Sequence, residues 1–412
     1  MSSGLVLVVV VVGAYLAAHV AFEWLTHRFK IVSGAEYLLL GALLGPELAG
    51  LISPGAVDGF SPFMTLALGW IGALVGAQFH VPQLLAIPRL LYRVAFLEAC
   101  VGLALITGCM LAVLTWWFAV PVAVALVPAV ALGTIGTVSA PSAIALVGRM
   151  TGAGTPAIRQ MQVATAVDAL VAITTFGALA ALAHPGLPPS DVRSPTATEW
   201  GALSLAIGLG GGVLFHLFLG RERKIDRLFI AVAGALILTS GAAAYISLSP
   251  LLPSMLVGMV LVNTSSSRDE IRELLSMVER PLYFVLLIFA GAAWEPLSSW
   301  LLPVLGFLFA RIIAKVASAW LAERASAAVP AYGPTWGLGL LGHGGLAVAL
   351  GLSYTVYGDG PLSEVVFTAT LVSVVLTDVL SVRLVQIVVS RYESRVLRMR
   401  AGADSRTGAE AP

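Results

Sequence analysis

Residues 133–150 read GTIGTVSAPSAIALVGRM, and residues 158–175 read IRQMQVATAVDALVAITT. Together with the apolar residues before it, the first stretch is long enough to cross a bilayer. Gly133, Gly136, Thr137, Ser139 and Pro141 break it in the middle. The second stretch is an uninterrupted apolar helix with one carboxylate, Asp168, near its centre. An acid at mid-membrane costs about 2.5–3.5 kcal/mol on insertion scales, so Asp168 marks a functional site unless it only hydrogen-bonds a neighbouring helix. A broken helix beside it supplies free backbone carbonyls and half-helix ends, the means by which many transporters hold ions.

The rest of the chain has the same character. Of its 412 residues, 58% are hydrophobic and 11% are charged, against about 25% charged in soluble domains. Mean hydropathy is +0.95. The apolar residues fall in blocks along the whole length, which predicts an all-α polytopic membrane protein. The blocks are 4–22, 35–52, 62–80, 88–117, 119–148, 157–183, 200–220, 227–247, 249–264, 281–296, 297–323, 332–356 and 362–390, about thirteen transmembrane helices. The segment 265–280 reads as an amphipathic surface helix between two of them, and 391–412 as a short basic tail.

Basic residues test that count. Arg28, Lys30, Arg89, Arg93, Arg149, Arg159, Arg221, Arg223, Lys224, Arg227, Arg268, Arg272, Arg280, Arg324 and the arginines from Arg391 to Arg406 all fall on one side. Arg193 alone lies in a loop on the other. The positive-inside rule then places the N-terminus outside and the C-terminus in the cytoplasm, with a bacterial inner membrane as the expected location. No Lys or Arg precedes the first apolar run, which speaks against a cleaved signal peptide. Cys100 and Cys109 share one predicted helix, too far apart to pair with each other.

A second interrupted segment, 332–356, carries Gly337, Gly339, Gly342, Gly344 and Gly345. It lies seven segments after the first. An odd offset inverts topology, so 1–183 and 227–390 read as inverted six-helix repeats joined by a linker helix at 200–220. Interrupted segments in corresponding places point to a binding site at the membrane midplane; glycines alone could equally serve tight helix packing.

The candidate residues cluster around these breaks. The hydroxyls of Thr137 and Ser139 and the carbonyls freed near Pro141 are hard oxygen ligands, suited to an alkali cation or a proton rather than to zinc or copper. Thr134 is expected to bond back to its own helix. Arg311 and Lys315 lie four residues apart on one helix face. Buried, they need acids or half-helix C-termini to balance them; Lys315 could instead reach the interface. Asp378 balances either a buried cation or a half-helix N-terminus. Within Gly342-His343-Gly344, His343 either relays protons or is a satisfied polar group at the break. Glu98, about two turns in from Arg93, is placed near enough to the interface to reach water. Gln78 and His80 read as interfacial polar groups. No nucleotide-binding loop, metal-ligand set, serine-nucleophile motif or basic nucleic-acid patch occurs, so no cofactor, nucleic acid or enzyme activity is expected.

Several of these stretches, in this order, resemble the monovalent cation–proton antiporter superfamily, especially its bacterial sodium/proton and potassium/proton exchangers. LLLGALLGPELAGLI (38–52) is similar to the family's Gly-Pro-ended helix, and LGWIGALVGAQF (68–79) to its helix ending in Gly-x-Glu/Gln. TVSAPSAIALV (137–147) resembles the first unwound segment, and AVDALVAI (166–173) the ion-binding helix, with Asp168 at the essential acid. ERPLYFVLLIFAGAAWEP (279–296), ARIIAKVAS (310–318) and LGLLGHGGLAVAL (338–350) resemble the Pro-Leu-Phe-Phe helix, the helix with the buried base and the second broken helix.

The resemblance implies a homodimer in which each protomer has a dimerisation domain and a mobile core with two crossing broken helices. It implies exchange of Na⁺ or K⁺ for H⁺ at Asp168, which would bind the cation or the proton but not both. A single carboxylate predicts electroneutral exchange. The chain departs from the family at Val167, where Asp or Asn precedes the essential acid, and at His343, where glutamine is frequent. Either Arg311 or Lys315 matches the buried base. Two other readings stay open: the same scaffold carrying an organic anion on Arg311 and Lys315, and a non-transporting membrane sensor or enzyme.

Overall fold

In the computed structural model the described residues are 35–151, 155–186, 193–219, 225–295, 301–326, 335–355 and 361–407. The expected first segment, 4–22, and Arg28 and Lys30 lie outside them. Every regular element among the described residues is helical. In chain order these are α1 (Ala35–Leu44), α2 (Pro54–Gly59), α3 (Ser61–Gly76), α4 (Val81–Leu85), α5 (Arg89–Ala112), a π-helical turn (Val113–Trp117), α6 (Val122–Thr137), α7 (Pro141–Met150), α8 (Pro156–Leu182), α9 (Ala197–Leu219), α10 (Ile225–Tyr245), α11 (Leu251–Thr264), α12 (Arg268–Ala292), α13 (Leu301–Ala325), a 3₁₀ turn (Trp336–Leu340), α14 (Gly344–Thr355) and α15 (Pro361–Thr407). Among the described residues, eight stretches are long and apolar enough to cross a membrane, and Ser61–Gly76, Leu251–Thr264 and Gly344–Thr355 are shorter apolar helices. The chain is a polytopic membrane protein.

Two boundaries differ from the sequence expectation. Residues 268–280 do not form a separate surface helix; they run on without interruption into α12. Ile271, Leu274 and Leu275 are buried and carry the helix into the bundle, and Arg272 Nε donates to the Ala77 carbonyl at 3.1 Å. Nor does the last helix stop at 390, since α15 continues to Thr407.

The helices pack as two groups. One contains α1, α3 and α9–α12; the other contains α5–α8, α13, the 3₁₀ turn, α14 and α15. In the first group α1 packs on α12 and α3 on α11. Glycine makes both interfaces: Gly41 sits against the Ile288 backbone and Gly291 against that of Leu38, while Gly76 meets the Met255 backbone and Gly258 that of Ala73. A side chain at these positions would drive the helices apart. Exchanging each segment for the one seven places on turns the α3–α11 pair into the α12–α1 pair. It turns α5–α8 into α13–α15, which are also packed together. This is the neighbour pattern that two repeats with that offset require.

Candidate functional site

Both expected breaks occur, and they are made differently. Val138 (ψ 138°) and Ala140 (ψ 123°) are extended between α6 and α7. Pro141 enforces this, because proline disfavours the helical region for the residue before it and fits well at the first position of the next helix. At the second break the backbone leaves the 3₁₀ turn and enters α14 through Gly344 at φ +66°, a left-handed conformation open to glycine. The breaks touch where the Ala140 N–H donates to the Gly342 carbonyl at 2.7 Å.

Breaking two helices in a low-dielectric interior leaves polar ends that need partners. Arg311, fully buried on α13, serves the carbonyl ends of both. Its Nε donates to Gly136 O at 2.9 Å, and one terminal nitrogen to Val138 O at 2.8 Å. Its other terminal nitrogen donates to Leu341 O. A guanidinium suits this, since its five donors are fixed in a fork and its charge opposes the negative ends of the half-helices. Asp378 on α15 does the converse, accepting from the His343 N–H at 2.7 Å and the Gly344 N–H at 3.3 Å, at the positive end of α14.

Beside the first break lies a second set of buried charges. Asp168 Oδ2 accepts from Ser139 Oγ at 2.6 Å and from Lys315 Nζ at 2.8 Å. Lys315 Nζ also donates to Glu98 Oε1 at 3.2 Å, and Ser318 Oγ donates to the same oxygen at 3.0 Å. Asp168, Glu98 and Lys315 are all 0% exposed. One ammonium is therefore shared by two carboxylates from different helices, α8 and α5. The second oxygen of each, Asp168 Oδ1 and Glu98 Oε2, is buried with no hydrogen-bond partner. Unpaired carboxylate oxygens are costly in such a setting.

The structure thus joins Asp168, Ser139 and Lys315, and sets Arg311, Asp378, Gly342 and Gly344 at the breaks. Thr137 is different: its hydroxyl donates to Gly133 O at 2.9 Å, as that of Thr134 does to Ala131 O at 2.7 Å. His343 lies at the second break. Its Nδ1 lies 3.0 Å from Thr377 Oγ1 and 3.4 Å from Ser373 Oγ, and its Nε2 is buried with no hydrogen-bond partner.

Glu98, expected near the interface and within reach of water, is fully buried. The ninth residue past Arg89 rises about 13 Å along the helix axis, close to half of a hydrocarbon core about 30 Å thick. Counting from the start of α5, rather than from Arg93, was the available signal. Gly102 then lets α5 approach Ser318 on α13.

The fold is similar to that of the sodium proton antiporter MjNhaP1 from Methanocaldococcus jannaschii, in a structure at pH 8. The TM-score is 0.67 at 15% identity, covering 92% of this chain and 98% of that one. A second MjNhaP1 structure, from an electron-microscopy map, gives a TM-score of 0.63 at 15% identity over 92% and 97% of the two chains. No protein-family model and no curated protein matches the sequence. The chain therefore shares the fold of that sodium proton antiporter.

Proposed function

We propose that this chain is a secondary active antiporter that exchanges a monovalent cation, Na⁺ or K⁺, for protons, with Asp168 as the residue both compete for. The observation that carries this reading is the Asp168 carboxylate at the crossing of the breaks, with Oδ2 held by Ser139 and Lys315 and Oδ1 unpartnered. A cation arriving at Oδ1 draws the carboxylate from Lys315, which stays paired with Glu98. A proton at the same carboxylate has the same effect. Since either ligand occupies the acid alone, moving the site across the membrane only when it is filled produces coupled exchange.

Charge supports a 1:1 electroneutral cycle. Among the described residues the buried charges are Glu98, Asp168 and Asp378 against Arg311 and Lys315. One negative charge is uncompensated when all are ionised, and one proton or one alkali cation cancels it. Moving an unbalanced charge through the interior costs several kcal/mol, so the loaded forms cross and the empty form does not. The organic-anion alternative is weakened because Arg311 is committed to backbone carbonyls and Lys315 to carboxylates.

On this reading the group holding the site is the mobile core, the α1, α3 and α9–α12 group is the scaffold through which a homodimer forms, and the arginine-rich ends face the cytoplasm of an inner membrane. Proteoliposomes with an entrapped pH dye test it. Adding Na⁺, K⁺ or Li⁺ in turn should evoke proton flux without a current that scales with it. Flux accompanied by such a current would remove the electroneutral cycle.

A further inference from the structure

The two helix groups end differently on the arginine-rich side. In the core, Arg89 and Arg93 open α5, Arg149 lies at the end of α7, Arg159 near the start of α8 and Arg391 far along α15. All five are exposed, and none forms an ion pair within the described residues. They border one patch. Val94, Val147, Ile158 and Tyr392, each within two residues of an arginine, belong to a single buried apolar cluster, and Leu91 packs against it between Arg89 and Arg93. No Asp or Glu occurs in 81–97 or 141–167. The other two core helices that reach this side bring few acids. Glu323 stands beside Arg324, which stacks over Trp320, and Glu393 stands two residues past Arg391.

The scaffold is balanced on the same side. Residues 268–280, where α12 begins, hold three arginines and four acids. Asp269 lies 3.9 Å from Arg268 and 3.7 Å from Arg272, and Arg272 also serves the Ala77 carbonyl. The positive-inside rule does not require the difference. It counts Lys and Arg, while acids contribute little to orientation, so the scaffold satisfies it with its acids in place.

We propose that the arginine rim of the core is a docking surface for the headgroups of anionic phospholipids in the facing leaflet. Its depth favours a lipid over a soluble anion. Phe96 lies one turn further into the bilayer than Arg93 on α5, and Ile387 one turn further in than Arg391 on α15; both are exposed apolar side chains on the same helix face as their arginine. Met150, next to Arg149, is exposed as well. Apolar side chains below and guanidiniums above match the boundary between hydrocarbon and phosphate. A guanidinium takes a phosphate through two parallel N–H bonds. With so few carboxylates beside them, these arginines call for a lipid of net negative charge rather than a zwitterion. Such a surface follows from helix packing and, for its side, from arginine placement, and it does not depend on exchange.

The test uses the full chain in a neutral detergent, with phosphatidylglycerol or phosphatidylcholine of the same acyl chains added in equal amounts. A ligand that binds only the folded protein raises its melting temperature. Phosphatidylglycerol should raise that of the parent by several degrees more than phosphatidylcholine does. R149Q/R159Q/R391Q should lose the difference, and R149K/R159K/R391K should keep most of it because the charge remains. R268Q, on the scaffold, should keep it in full. If the triple glutamine variant does not fold, R149Q and R159Q decide singly, each reducing the difference. Equal shifts with the two lipids in the parent would overturn the proposal, as would glutamine variants with the parent's preference. So would soluble glycerol phosphate that stabilises as well as the lipid, since the rim would then be a site for free phosphate. None of these measurements involves transport, so their failure leaves the antiporter reading standing, and failure of that reading leaves them unaffected.

Discussion

The two breaks occupy corresponding places, yet their acids are held differently. Asp378 accepts from two backbone N–H groups at the start of α14. Those donors cannot leave without unmaking the helix. Asp168 accepts only from side chains, the Ser139 hydroxyl and the Lys315 ammonium, and keeps one oxygen unpartnered. Both donors can turn away, and Lys315 has Glu98 to turn to. Burial alone therefore does not separate the two acids. On the proposed reading their partners do, side chains for Asp168 and backbone for Asp378.

The largest effect should come from removing the residue that serves both breaks. R311A orphans buried carbonyls at each, and losing one partner from a buried charged network costs about 3–5 kcal/mol. Little folded protein should be recovered by size-exclusion chromatography, with R311K intermediate because an ammonium lacks the fork.

D378N should come next, and it separates the acids most sharply. The amide oxygen still accepts, but without charge, and charge-assisted bonds exceed neutral ones by about 1–2 kcal/mol. The melting temperature should fall by several degrees. D168N should do the opposite, leaving the melting temperature near that of the parent. Equal stability loss in the two variants would erase the distinction between the breaks.

E98Q sharpens the role of the shared ammonium. Without the Glu98 charge, Lys315 pairs more firmly with Asp168 and competes harder with the cation. A coupling of about 1 kcal/mol raises the apparent KM for the cation roughly fivefold, read from dye-detected flux. An unchanged KM would mean that Lys315 does not move between the carboxylates. The smallest effect is expected from T137A, whose hydroxyl serves its own helix; exchange should stay within about twofold of the parent.

Much of this could be read from the chain. Hydropathy marks the segments because a bilayer imposes length and apolarity on each one. Asp168 stands out because it is the lone acid in an otherwise apolar helix, and Pro141 and the Gly342-His343-Gly344 run announce the breaks through local backbone rules. What could not be read was which buried charge meets which. Lys315 and Glu98 are 217 residues apart, and their meeting depends on how α5 packs against α13. Arg311 and Lys315, one turn apart on the same face, divide their work because Arg311 meets the carbonyl ends of both breaks and Lys315 meets the acids of α8 and α5. The place of Thr137 near the break suggests a ligand; where its hydroxyl proton goes, to Gly133 O on its own helix, is visible only in the structure.

The central claim is that one carboxylate, Asp168, is contested by cation and proton. The most direct measurement is proton flux in proteoliposomes carrying a pH dye, with Na⁺, K⁺ and Li⁺ added in turn to the parent and to D168N. The account predicts cation-evoked flux in the parent that saturates at higher cation concentration as pH falls, and none in folded D168N. Flux that survives in D168N with the parent's cation dependence would contradict it.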